Sequence, residues 1–329
     1  MFKSLKGKSL LVTGGTGSFG KKFIQKILKE SEVDKVLIYS RDELKQFEMQ
    51  QVFNDERLQY LLGDIRDKDR LNQTFHEIDI VVHAAAMKQV PASEYNPIEA
   101  IKTNIIGAEN IINVALNHDV EKVIALSTDK ASNPSNLYGA TKLCSDKLFA
   151  AANSISNHNR TTFSVVRYGN VINSRGSIVP LFEKQKLDGQ ITITDERMTR
   201  FWITLDQAAM FVANCLNKMK GGEIFIPKIP SMKLTDVAKA IAPDAKIKII
   251  GIRPGEKLHE VMITEDDAPN TIEFDDYYVI EPFNENWNAE KLFKIDEFKR
   301  VPQDFSYTSK NNSDWLKIDE FISMAKNLD

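Results

Sequence analysis

The sequence predicts an α/β fold, a doubly wound parallel sheet joined to a smaller, interleaved C-terminal lobe. Two observations carry this. A glycine-rich turn, Gly14-Gly-Thr-Gly-Ser-Phe-Gly20, stands between a short apolar run, Ser9 to Thr13, and a segment with Phe23, Ile24, Ile27 and Leu28 at helical spacing. Strand-like and helix-like runs then alternate four times, and parallel strands need crossover helices that cover both sheet faces. At 329 residues the chain can form one large domain or two modest ones, and its 42% hydrophobic content is enough to fill a core.

Composition narrows the function class. A formal net charge of -3 offers no basic field for nucleic acid, and no lysine or arginine run is long enough to meet an anionic membrane. Small-molecule chemistry is favoured. Cys144 and Cys215 are too few for a disulfide framework or a cysteine-rich zinc site; both are expected to be buried packing residues in a reducing cytoplasm. His76, His83, His118, His158 and His259 lack the close pairing of a metal site, so no metal is expected. No apolar run approaches the roughly 20 residues of a membrane span. The amino terminus lacks an apolar leader core, so the expected location is cytoplasmic.

Each element has its own justification. The first strand, glycine turn and helix place backbone N–H groups of Gly14, Thr16, Gly17, Ser18, Phe19 and Gly20 where a dinucleotide pyrophosphate would meet a helix dipole. The second strand, Val36 to Ser40, ends in Ser40-Arg41, where an NAD enzyme would carry a carboxylate for the ribose. A guanidinium there suits a 2'-phosphate, so Arg41 with Ser40 and Lys45 argues for NADP; Asp42 argues against it. Alternatively, Arg41 only caps the next helix, Asp42 to Phe53. Leu58 to Leu62 leads into Gly63-Asp64-Ile65, placing Asp64 to meet an adenine amino group or to cap a helix. Ile80 to Val82 opens into His83-Ala84-Ala85-Ala86, small residues that permit close cofactor contact or simply tight packing. Lys88 follows within reach of phosphate or the nicotinamide ribose. Pro97 to Asp119 reads as one long amphipathic helix with Thr103 and Asn104 near its start.

The fifth strand, Val123 to Leu126, delivers Ser127-Thr-Asp-Lys130 to the carboxyl edge of the sheet, where ligands bind in such folds. Tyr138 and Lys142 follow, four residues apart and so on one helix face, where the ammonium can hold the phenol's pKa down and make it a base. Tyrosine and lysine at this spacing also occur as plain surface pairs, and Asp129 and Lys130 could merely pair with each other.

Taken together, the glycine turn, Gly63-Asp-Ile-Arg-Asp67, His83-Ala-Ala-Ala-Met-Lys88, Leu126-Ser-Thr-Asp-Lys130 and Tyr138-Gly-Ala-Thr-Lys142 resemble an extended short-chain dehydrogenase/reductase acting on a nucleotide sugar. Further on, Arg167-Tyr-Gly-Asn-Val171, Ser174-Arg-Gly-Ser177, Met198-Thr-Arg-Phe201 and Ile252-Arg-Pro-Gly-Glu-Lys-Leu-His-Glu260 are similar to the inverting UDP-N-acetylglucosamine 4,6-dehydratases of pseudaminic acid synthesis. Thr128-Asp129-Lys130 is the most specific feature, because the retaining sugar dehydratases carry Thr-Asp-Glu there. The resemblance implies a Rossmann-like fold with tightly bound, recycled NADP in contact with Ser127, Tyr138, Lys142 and Val171.

The implied reaction has three stages. Tyr138, with Thr128 and Lys142 beside it, takes the 4-hydroxyl proton while C4 is oxidised. Lys130, lowered toward neutrality by desolvation, removes the C5 hydrogen as Asp129 protonates the departing 6-hydroxyl. C6 is then reduced and C5 is protonated on the opposite face. Asp129 and Lys130 could exchange roles.

For the substrate, the resemblance implies Lys88, Thr128, Asn170, Arg175, Gly176, Ser177 and Ile178 against the diphosphate or sugar, and Thr194 and Met198 near the base. Arg253 and Glu256 would meet diphosphate charge and ribose hydroxyls, although Arg253-Pro-Gly-Glu256 alone reads as a turn with a surface ion pair. Asn173 replaces a common glycine and would narrow the sugar pocket. Residues 1–170 would then form the cofactor domain, with later segments returning to it, and 171–329 the substrate-binding lobe and C-terminal extension. No chemistry attaches to the acidic stretch after Thr264. The resemblance also implies a homo-oligomer, possibly a hexamer. Rival readings are another nucleotide-sugar epimerase or dehydratase and a non-catalytic NADP-binding protein. Capsule, lipopolysaccharide and flagellin glycosylation all remain open as destinations.

Overall fold

The computed structural model describes residues 2–156, 160–283 and 287–326; His158 lies outside them. Six parallel strands form the heart of the sheet: β1 (Ser9–Thr13), β2 (Lys35–Ser40), β3 (Leu58–Leu62), β4 (Ile80–His83), β5 (Lys122–Thr128) and β6 (Thr162–Tyr168). Their spatial order is β3-β2-β1-β4-β5-β6. Strand order therefore reverses beside β1, and the carboxyl ends of β1 and β4 flank the crevice where open α/β sheets bind ligands. Leu10, Leu11 and Val12 of β1 and Val81 and Val82 of β4 are fully buried, as expected for strands covered on both faces.

Helices α1 (Ser18–Glu30), α2 (Glu43–Val52) and α3 (Lys68–Thr74) make the first crossovers, and Phe23, Ile24 and Ile27 of α1 are its buried stripe. The stretch from Pro97 is not one regular helix. After α4 (Val90–Tyr95), α5 (Pro97–Ile101) passes into a π-helical turn, Lys102–Ile106, and then α6 (Gly107–Asn117). The wider turn is where the Asn104 side chain leaves the helix to bind the chain at Met87. Helix α7 (Leu137–Ala152) completes this half, with the Asn136 side chain capping it by accepting from Gly139 N. Cys215 is buried as expected, but Cys144 is exposed on α7, because its position points away from the face that packs on the sheet.

The second half is interwoven. Strands β7 (Asn170–Val171), β8 (Gln190–Ile193) and β9 (Thr199–Ile203) and helices α8 (Ile178–Lys186) and α9 (Leu205–Lys218) precede β10 (Ile224–Pro227), which pairs parallel with β6. After them come β11 (Ser231–Lys233), α10 (Leu234–Ile241), β12 (Lys246–Ile249), β13 (Val261–Ile263), β14 (Thr271–Glu273), β15 (Tyr277–Ile280), β16 (Lys299–Arg300) and β17 (Tyr307–Thr308). The main sheet continues past β10 through β15, β14 and β16 in antiparallel pairs. A separate core, with Phe182, Trp202, Val237 and Phe321 fully buried, holds the smaller lobe together. Among the described residues no helix is long and apolar enough to cross a membrane, and no group of three or more metal-ligating side chains converges.

Candidate active site

The crevice is a cleft of about 790 Å³ reaching from the glycine turn to the end of β5. Gly14 sits at φ +67°, and a Cβ there would lie 2.8 Å from Ala85 N, so glycine is required and the alanines after β4 are close-approach residues. Gly17 begins α1 without any side-chain cap, which leaves the first-turn N–H groups available to an anion. Thr16 Oγ1 lies 3.0 Å from Ser40 Oγ, tying the turn to the end of β2.

Of the residues expected to bind cofactor, Gly14, Thr16, Gly17, Ser18, Phe19, Gly20, Ser40, Arg41, Asp42, Lys45, Asp64, Ile65, Ala84, Ala85, Ala86, Lys88, Thr103, Ser127, Tyr138, Lys142 and Val171 line the cleft. Asn104 does not. Buried, it accepts from Met87 N at 2.8 Å and donates to Met87 O and to Thr141 Oγ1, both at 3.0 Å, so it holds the cleft wall from behind. The cap of α2 is Asp42, which accepts from Lys45 N at 3.0 Å and pairs with the Lys45 ammonium; Arg41 is left free to project, its Nη1 3.7 Å from Asp64. Asp67 caps α3, while Asp64 is gripped by Arg66 at 2.7 and 3.0 Å, and these hydrogen bonds hold its carboxyl below the usual range against the effect of burial.

The residues expected to react meet where β5 ends. Thr128 Oγ1 accepts from Lys130 N at 3.3 Å and donates to Asp129 Oδ1 at 3.0 Å, turning the chain through a short 3-10 turn, Asp129–Ala131. Lys130 Nζ lies 3.0 Å from Asp129 Oδ1 and 3.2 Å from Glu260 Oε1. Helix α7 rests against this turn with no room to spare: a Cβ on Gly139 would stand 2.1 Å from Lys130 O.

Electrostatics here depart from the sequence expectation. Desolvation does act to lower Lys130, but Asp129 and Glu260 outweigh it and its ammonium is held well above the ordinary lysine range. Asp129 is pushed up, first by burial and then by the neighbouring Glu260. Burial pushes the Tyr138 phenol up to about 12, opposed by the Lys130 charge and the Thr128 hydroxyl rather than by Lys142. Lys142 is itself buried and lowered by desolvation, with Asp146 acting the other way. Asp146 also accepts from Ser127 Oγ at 2.7 Å and pairs with Arg167 at 3.2 Å.

On the substrate side, Lys88, Thr128, Asn170, Arg175, Gly176 and Ser177 line the cleft. The Arg175 loop bridges the two halves: its N–H donates to Ser18 Oγ at 3.1 Å and its carbonyl accepts from Lys88 Nζ at 3.0 Å. Other expected contacts lie elsewhere. Thr194 donates to Met198 Sδ at 3.0 Å, and both side chains are buried in or beside the core of the smaller lobe, away from the cleft. Ile178 packs against that same core. Arg253 and Glu256 pair with each other at 3.7 Å in a turn whose Gly255 carbonyl accepts from Ser135 Oγ and Asn136 Nδ2 at the start of α7. Asn173 does not narrow the cleft: its Nδ2 donates to Ala325 O at 3.2 Å, and its φ of +55° is a backbone state that glycine and asparagine tolerate best. What Glu260 and Gly139 touch is set by chain segments distant in sequence, so their own motifs carry no signal of a role in the site.

Residues 10–282 match the family described as polysaccharide biosynthesis protein. The chain is 54% identical over 324 residues, 97% of each chain, to the UDP-N-acetylglucosamine 4,6-dehydratase (inverting) of Campylobacter jejuni subsp. jejuni serotype O:23/36 (strain 81-176). It is 38% identical over 330 residues, 98% of this chain and 96% of the other, to the UDP-glucose 4-epimerase of Rickettsia massiliae (strain Mtu5). The X-ray structure of Pen from Bacillus thuringiensis matches with a TM-score of 0.90 and 39% identity over 98% of both chains. With the glycine turn, the Tyr138–Lys142 pair and the strand order in place, this chain belongs to the polysaccharide biosynthesis protein family, within the extended short-chain dehydrogenase/reductases.

Proposed function

We propose that this protein dehydrates UDP-N-acetylglucosamine at C5 and C6 with inversion at C5, giving a 4-keto-6-deoxy sugar, as the first step of pseudaminic acid synthesis. One observation carries the proposal: an acid–base pair of buried Asp129 and half-buried Lys130, 3.0 Å apart, stands in the dinucleotide cleft with Tyr138. Epimerisation at C4 needs a group to exchange the 4-hydroxyl proton and has no use for a second pair. Removal of water needs one base at C5 and one acid at O6.

The uncapped start of α1 fits a dinucleotide pyrophosphate, and the exposed Arg41 with Ser40 and Lys45 fits the 2'-phosphate of NADP. When bound, the cofactor would supply the redox chemistry, hydride removal at C4 and its return at C6. Tyr138 accepts the 4-hydroxyl proton in its phenolate form, which the Lys130 charge and the Thr128 hydroxyl favour against burial. Within the pair, a proton passes from the Lys130 ammonium to Asp129 along their hydrogen bond; the raised affinity of Asp129 for a proton favours this, and the raised affinity of Lys130 opposes it. Lys130, now an amine, takes the C5 proton; Asp129 gives its proton to O6, the C6–O bond breaks and water leaves. Both groups are thereby returned to their starting charges; as C6 is reduced, a solvent proton adds to the opposite face of C5, and Tyr138 releases to solvent the proton it took from the 4-hydroxyl. Lys88 and Arg175 provide cations for the diphosphate.

A proton NMR time course with UDP-N-acetylglucosamine in deuterated water tests this. A new 6-methyl signal with deuterium at an inverted C5 is the expected result. Retained C5 configuration would remove the inversion, and a C4 epimer with no methyl signal would replace the dehydratase by an epimerase. The homo-oligomer, a hexamer by resemblance, belongs to the same proposal, and light scattering of the purified protein measures it.

A further inference from the structure

Glu260 is a buried carboxylate, 2% exposed, that the proposed reaction does not yet use. It directly precedes β13, and the residue after β17 holds it in place: Glu260 N donates to Ser309 Oγ at 2.9 Å, and Ser309 N donates to Glu260 O at 2.8 Å. Its Oε1 faces two cations, Lys130 Nζ at 3.2 Å and Arg200 Nε at 3.5 Å. Its Oε2 is buried and has no hydrogen-bond partner, and the same holds for Asp129 Oδ2.

A structural ion pair between Glu260 and Arg200 would show the guanidinium fork on the carboxylate. Here the fork is turned elsewhere, with Nη1 donating to Thr199 O and Leu258 O and Nη2 to Lys257 O. The nearest cation to Glu260 is therefore Lys130, which two buried carboxylates share. We infer that Glu260 is a positioning residue for the Asp129–Lys130 pair, anchoring Lys130 Nζ beside Asp129 and governing the exchange of the proton between them.

Charge explains how. Glu260 attracts the ammonium state of Lys130 and repels the ionised state of Asp129, so it raises the proton affinity of both. Burial without sufficient positive charge would leave Glu260 protonated, but Lys130, Arg200 and Lys257 together keep its carboxyl below the usual range. Glu260 therefore keeps its charge while Asp129 receives the proton. The other charged or titratable groups around the cluster are Tyr138 on α7, Arg167 on β6 and His259, whose Nδ1 lies 2.8 Å from Thr199 Oγ1.

The inference rests on the dehydratase reading, and its test keeps the two apart. The rate of 6-methyl formation is measured against pH for the wild type, Glu260→Gln and Glu260→Asp, with bound NADP measured as a check on folding. Removing an anion lowers the pKa of every neighbour, so both limbs of the Glu260→Gln profile move to lower pH by about 0.5 unit or more, and kcat falls roughly tenfold or more with KM nearly unchanged. Glu260→Asp keeps the charge but draws it back, and its limbs shift in the same direction by less. If Glu260→Gln does not fold, the Glu260→Asp shift decides. Limbs that stay at their wild-type positions, whatever the drop in rate, would mean that Glu260 only supports the fold and would overturn the inference alone. A wild type that forms no 6-methyl product would remove the dehydratase reading and this inference together.

Discussion

Replacing Gly139 by alanine is expected to impair catalysis without touching a reactive group. The added Cβ would lie 2.1 Å from Lys130 O, 3.0 Å from Lys130 C and 3.1 Å from the Pro134 side chain. Two of these are backbone atoms, so no flexible side chain can give way. Helix α7, which carries Tyr138 and Lys142, and the turn that carries Asp129 and Lys130 must separate by roughly 1 Å, a displacement that costs about 10²-fold when it misplaces catalytic groups. Overpacking also costs about 1–3 kcal/mol of stability. The assay is kcat for 6-methyl formation together with NADP content and thermal midpoint. The expected outcome is a protein that keeps its cofactor, melts a few degrees lower and turns over about a hundredfold more slowly. Gly139→Ala with wild-type kcat would refute the argument that the contact between α7 and the turn sets the spacing of the two acid–base groups.

Other perturbations test separate parts of the site. Lys130→Ala and Tyr138→Phe should each abolish 6-methyl formation while bound NADP is retained, and full turnover in either would remove its assigned role. Arg41→Ser should weaken NADP about 10- to 100-fold, the loss of one or two charge-assisted hydrogen bonds, and leave NAD nearly unaffected; equal losses in calorimetric titrations would contradict the 2'-phosphate assignment. His83, buried with Nδ1 2.8 Å from Thr13 Oγ1, has its pKa depressed by burial to about 3. The unfolded chain therefore binds a proton that the folded chain refuses below about pH 6.5, and this site's contribution to stability falls as pH drops from there toward 3, by up to about 1.4 kcal/mol per pH unit. Denaturant unfolding between pH 4 and 8 should show the slope, reduced in His83→Gln; an unchanged slope in that variant would place the effect at another group.

Local chain chemistry made much of this protein legible. The alternation of apolar runs determined that the first six strands are parallel, and the glycine turn after β1 marked one wall of the cleft, because both depend on residues within a few positions of one another. The same holds for Tyr138 and Lys142, one helical turn apart, and for Asp129 and Lys130 directly after β5. What the tertiary structure decided is which distant segments meet. It carried Thr194 and Met198 into or against the core of the smaller lobe, laid the Arg175 loop across the glycine turn, and turned Asn104 out through a π-helical turn. It also reversed the direction of the shift at Lys130. Sequence indicates that a lysine at the end of a buried strand is desolvated, which lowers its pKa; only the fold brings Glu260 within 3.2 Å, and at that distance in a buried site the charge of a second carboxylate outweighs desolvation.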